Sequence, residues 1–174
     1  MDIWKEFEQN VITHSAAHHL MAVDDLVSRF GYARVSDIAR QLNITRGSVS
    51  ISLKPMKEAG LLLQDENRHL QLSDKGQRLV DAIKTKRLLI QRLLSELLGV
   101  DEQQAEIDAC KVEHLTSNKT AWRLAAFFRF MDGQADVAGE FLAKWREFDR
   151  SCNGDTRECP TCETGCMAKK LSDE

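Results

Sequence analysis

The chain has 174 residues, 43% of them hydrophobic and 29% charged, with a net charge of -3. That is enough apolar content for one ordinary domain or two small ones. No run approaches the ~18 uninterrupted apolar residues of a spanning helix, and the N-terminus MDIWKEFEQN carries acids where a secretory leader would carry bases. Neither a helical membrane protein nor a secreted one is expected, and the expected location is the cytoplasm.

In chain order, residues 3 to 29 place apolar side chains at helical spacing (Ile3, Phe7, Val11, then Leu20, Val23, Leu26, Val27) and stop at Phe30-Gly31. One long helix fits, or a short one followed by a longer one. VSDIARQLNI then gives a brief helix with Ser36 as N-cap, and TRGSVSISLKPMKEAG a second that opens at Thr45 or Ser48 and closes at Gly60. Two short helices so close together form a helix-turn-helix. Pro55 removes a helical hydrogen bond and predicts a bend or an early end. Leu61 to Gln64 and His69 to Leu72, separated by Asp65-Glu66-Asn67, read as a hairpin, the wing.

Ser73-Asp74 opens a long amphipathic helix whose stripe is Leu79, Ile83, Leu89, Leu93, Leu94, Leu97 and Leu98, ended by Gly99. Further helices are predicted from Asp101 to Leu115, Lys119 to Met131 and Gln134 to Arg150. The fold class is therefore mostly α. A winged helix-turn-helix over 1–74 precedes a helical domain over 75–150 and a cysteine-rich tail over 151–174.

Residues 46 to 92 hold ten basic and five acidic side chains, the segment where a polyanion would dock. The second helix of such a motif enters the major groove of double-stranded DNA, which nominates Thr45, Arg46, Ser48, Ser50 and Ser52. Arg46 alone can fork onto a guanine edge, while the serines suit phosphates and waters.

Cys110, Glu113 and His114 stand at i, i+3 and i+4, on one face of a helix, and His14, His18 and Met21 share a face of the first helix. If the two faces meet, thiolate, carboxylate, imidazole and thioether converge. Such a set suits Fe(II), Co(II), Ni(II) or Zn(II) better than Mg or Ca, and manganese is a poorer match. No glycine-rich phosphate loop, nucleophile elbow or H-E-x-x-H helix is present, so an enzyme is not expected.

The other four of the five cysteines, Cys152, Cys159, Cys162 and Cys166, crowd the tail in a C-x6-C-x2-C-x3-C spacing. Four thiolates fit tetrahedral zinc or a [4Fe-4S] cluster.

GYARVSDIA at 31–39 and LLSELLGVDEQQAEIDACKVEHL at 93–115, with its C-x-x-E-H element, resemble the diphtheria toxin repressor family of metal-dependent transcriptional regulators, in its short, manganese-transport-regulator-like form. The resemblance runs from about His18 to Arg150. It implies Cys110, Glu113 and His114 as ligands of an activating metal, with His18 and Met21 supplied by the first helix, or His14 or His19 if that helix is rotated. It also implies a homodimer on an inverted-repeat operator, the metal shifting the population toward the DNA-binding form. Arg87, Gln91 and Glu106 stand where iron-responsive members carry an ancillary site, so that second site is expected to be absent or rebuilt. The barrel-like C-terminal domain of longer members is not represented. The function expected is an iron-responsive repressor of metal homeostasis genes; the alternative is a cytosolic winged-helix adaptor of a metal transporter that carries an iron-sulfur cluster.

Overall fold

The computed structural model describes residues 12–150, the last three by backbone alone. They form two compact units parted between Ala125 and Ala126. The element order is α1 (His14–Phe30), α2 (Val35–Gln41), α3 (Arg46–Glu58), β1 (Leu62–Gln64), β2 (Leu70–Leu72), α4 (Asp74–Arg92), a π-helical turn (Leu93–Leu97), α5 (Glu102–Val112), α6 (Asn118–Gly133) and α7 (Ala135–Arg150). The mostly helical fold with an N-terminal winged helix-turn-helix follows.

Helix α1 begins at His14 because the Thr13 side chain accepts the Ala16 amide, and it ends where Gly31 takes φ 78°. Of the two arrangements compatible with the sequence, one unbroken helix is therefore excluded; residues 1–11 lie outside the described residues. Arg34, not Ser36, is the N-cap of α2. Helix α3 is capped by Thr45, whose Oγ1 accepts the Ser48 amide at 3.1 Å. It does not end early at Pro55: it continues to Glu58, held by Leu53 and Met56, which sit in the core on either side of the proline.

The wing strands are antiparallel, Leu62 opposite Leu72 and Gln64 opposite Leu70, and Ala33 bridges Leu70 from the other side. The connection is longer than the predicted three-residue turn, with Arg68 at φ 63°. His69 secures it. The Arg34 guanidinium donates to His69 Nε2 at 3.0 Å, which leaves Nδ1 to donate to Asp65 Oδ2 at 3.1 Å.

One core joins these pieces. Leu20, Val23 and Leu26 of α1 pack with Ile38 of α2, Val49 and Leu53 of α3, Leu70 of the wing and Val80 and Ile83 of α4. The start of α4 approaches the wing so closely that a Cβ at Gly76 would lie 2.1 Å from the Leu61 carbonyl oxygen. Ser73 fixes that approach, its hydroxyl donating to the Gly60 carbonyl at 2.6 Å.

The predicted leucine stripe of α4 is corrected at its far end. The helix widens there, the Leu98 amide bonding to Leu93 and the Val100 amide to Leu94, and none of residues 93–97 is buried. A π turn adds a residue to the helical circuit, so side chains after it leave the face set by 3.6-residue spacing. Helix α5 also ends at Val112, three residues before the predicted end, with Glu113 and His114 in the following turn. In the second unit Phe128 and Ala138 are buried, whereas Phe130, Val137 and Phe141 are exposed. No helix among the described residues is long and apolar enough to cross a membrane.

Candidate metal centre

The first turns of α1 and the end of α5 meet beside α4, and nitrogen and sulfur donors collect where they do. Cys110 Sγ lies 3.3 Å from His18 Nε2. The His14 ring is 4.4 Å from that of His18 and 5.1 Å from that of His114. One donor atom each from His14, His18 and Cys110 falls within 4.8 Å of the others. His114 Nδ1 is buried without a hydrogen-bond partner. A buried imidazole nitrogen left without a partner is costly, and a transition-metal ion fits the nitrogen and sulfur donors gathered next to it.

Glu113 is fully buried, and both of its oxygens face Arg87 of α4. Nε of the guanidinium donates to Oε2 and Nη2 to Oε1 at 2.8 Å, while Nη2 also reaches Cys110 Sγ at 3.4 Å. The pair raises the arginine above its ordinary range, chiefly through the hydrogen bond to Glu113. Burial pushes the Cys110 thiol up, and the nearby guanidinium opposes that shift. Burial also lowers His18 and His114, with His14 adding to the effect in both. Both therefore favour the neutral, ligand-competent imidazole.

Of the residues nominated from sequence, the structure brings His18, Cys110, Glu113 and His114 into one neighbourhood. Met21 is buried, lining with His18, Arg87 and Lys84 a cavity of about 260 Å³. Of the substitutes, His14 joins the cluster, whereas His19 is buried with its Nδ1 donating to Ser15 O at 2.6 Å within the same helix. Arg87 is the residue whose part sequence reasoning missed: placed with a vanished ancillary site, it contacts the central one. The signal available was its charge, unmatched at helical spacing on α4. Cys152, Cys159, Cys162 and Cys166 lie outside the described residues.

On α3, Arg46, Ser48 and Ser50 are exposed, and Thr45 also contacts Ser48 through its hydroxyl at 2.9 Å. Ser52 is half-buried, beside Ile12, Pro55 and Met56. Ile51, not among the nominated residues, is 76% exposed next to exposed Lys54. An apolar side chain projecting from such a helix suits a thymine methyl.

Fold and site define a class: winged-helix proteins whose helical domain gathers side chains competent to hold a metal against the first helix. Residues 73–136 match the family described as iron dependent repressor, metal binding and dimerisation domain. The HTH-type transcriptional regulator MntR of Lysinibacillus sphaericus is 30% identical over 131 residues, which is 75% of this chain and 94% of that protein. The diphtheria toxin repressor of Corynebacterium diphtheriae is 32% identical over 87 residues, 50% of this chain but only 38% of that longer protein. Among solved structures, that of T. acidophilum IdeR superposes with a TM-score of 0.55 at 25% identity, covering 64% of this chain and 53% of that one. The chain belongs to the diphtheria toxin repressor family of metal-dependent transcriptional regulators. These relatives are a transcriptional regulator and a repressor, not enzymes.

Proposed function

We propose that this chain is a metal-activated DNA-binding repressor, iron-responsive, that controls metal homeostasis genes and acts as a homodimer on an inverted repeat. The single observation that carries the reading is that α1 serves two purposes. Its first turns supply His14 and His18 to the donor cluster, and its later turns, through Leu20, Val23 and Leu26, pack in the same core as the groove helix α3. An ion held by His18, Cys110 and His114, with Met21 and Glu113 as the other anticipated ligands, would fix α1 against α5. The orientation of α3 then depends on occupancy. A coupling of ~1–3 kcal/mol corresponds to about 5- to 150-fold tighter DNA binding.

Thr45, Arg46, Ser48, Ser50 and Ser52 form the proposed DNA-contacting set, with Ile51 added. The dimer draws support from the segment matching a dimerisation domain, on which Leu88, Leu98, Ile107 and Val112 are exposed. Exposed apolar side chains of that kind mark a contact surface. For the tail, the cysteine spacing supports a [4Fe-4S] cluster or zinc, and an anaerobic absorption spectrum with metal analysis distinguishes them.

The test is retention of the DNA upstream of the chain's own gene in a gel or anisotropy assay under anaerobic conditions. Fe(II) is expected to promote binding and a chelator to reverse it. Equal binding in both, at stated salt, rejects metal activation; no binding in either favours the adaptor alternative.

A further inference from the structure

We propose that His14, and not Glu113, completes the ligand set with His18, Cys110 and His114, and that Arg87 enforces the exchange by holding Glu113. The result is a site of one thiolate and three imidazoles that takes Fe(II), Co(II) or Zn(II) and discriminates against Mn(II). The inference rests on the reading of this cluster as a metal centre.

Glu113 has the right neighbourhood but the wrong engagement. Both oxygens are taken by one guanidinium in a fork that matches a carboxylate bidentately, and the carboxylate is fully buried. Freeing it for an ion would strand Arg87 beside a second cation. The mutually close donors among the described residues accordingly contain no carboxylate, only His14, His18 and Cys110. In tetrahedral zinc geometry a sulfur and a nitrogen ligand are about 3.5 Å apart, from bond lengths of roughly 2.3 and 2.0 Å. The Cys110 Sγ to His18 Nε2 separation is 3.3 Å, already close to that span.

His14 reaches this place for a local reason. As the first residue of α1, one turn before His18, it stands on the same face at the open end of the helix. Its ring is within ring-contact distance of those of both His18 and His114. His114 stands just outside that close group, its ring 5.1 Å from that of His14 and its buried Nδ1 without a partner, and an ion held by the other three would draw it in as the fourth donor. Carboxylate, carbonyl and water suit Mn(II), whereas thiolate and imidazole suit iron, cobalt and zinc. Arg87 therefore sets the choice of ion by removing the hard ligand from reach.

The experiment is an anaerobic Co(II) titration of the full chain with the four tail cysteines changed to serine, so that Cys110 is the sole thiol. The expected spectrum has a near-ultraviolet thiolate-to-cobalt band and the intense visible bands of four-coordinate cobalt. His14→Ala should lower Co(II) affinity about tenfold or more and lose the four-coordinate intensity, and it should cost more than Glu113→Gln. Arg87→Met, by releasing Glu113, should raise Mn(II) affinity about tenfold, read by water-proton relaxation. A folded His14→Ala protein with the parent spectrum and affinity overturns the assignment, as does Mn(II) affinity unmoved in a folded Arg87→Met protein. If Arg87→Met does not fold, the His14→Ala comparison decides alone. DNA retention measured on the same samples separates the two readings: loss of metal-dependent DNA binding with the His14 effect intact rejects the repressor and leaves the ligand set standing.

Discussion

The winged helix and the metal centre are built on opposite terms. In the winged helix most polar groups are answered locally, by Thr45 capping α3, His69 bridging Arg34 and Asp65, and Ser73 tying α4 to the wing, with His19 Nε2 the exception. Apolar side chains supply the rest. In the candidate metal centre His114 keeps an unpartnered nitrogen, two histidines crowd a thiol, and the one salt bridge among the described residues there is that of Arg87 with Glu113. The reading module is complete by itself. On the proposed function, the second region is complete only with an ion, and the difference would let an ion alter the behaviour of the whole.

The sharpest way to break the contrast is to remove the one pairing on which the centre relies. Arg87→Met leaves Glu113 buried and uncompensated, and should cost the apo-protein about 3 kcal/mol or more in denaturant unfolding, with most of it recovered in Arg87→Met/Glu113→Leu. If the single variant is as stable as the parent, the pair is not buried in solution as it is here. On the other side, Gly76→Ala forces a methyl into the Leu61 carbonyl, and a backbone atom cannot yield as a flexible side chain does. A loss of about 1–3 kcal/mol is expected, with weaker DNA binding from the displaced wing. Calorimetry and anisotropy together would show it.

Smaller effects sharpen the picture. Thr45→Ala removes the α3 cap and should cost about 1 kcal/mol, measurable as a shift in denaturation midpoint. Ile51→Ser, at an exposed site, should leave the midpoint unchanged and weaken specific over non-specific DNA binding by ~1 kcal/mol; equal loss on both kinds of DNA would remove Ile51 from base reading. The least effect is that of pH. His18 and His114 are held below the ordinary imidazole value of 6.5, mainly by burial. Over that range the unfolded chain binds more protons than the folded one, so this contribution is present above 6.5 and is lost as pH falls through the lowered values. Apo-protein midpoints at about pH 7.5 and 5.5 should fall in that order, and less so in His18→Gln.

Sequence by itself determined the helix-turn-helix and the wing, because these rest on short-range periodicity and turn chemistry; it left the α3 cap open between Thr45 and Ser48, and the meeting of α1 with the C-x-x-E-H segment only as a condition. The motif spacing also sufficed to nominate His18, Cys110, Glu113 and His114. Only the tertiary structure decided that α3 passes through Pro55, since core packing of Leu53 and Met56 outweighs one missing hydrogen bond. It alone placed Arg87 of α4 against Glu113, 26 residues away, and His14 beside His18 and His114. Ligand identity at a site is a matter of which charges and lone pairs end up facing one another, and that depends on how three helices pack, not on the pattern within any one of them.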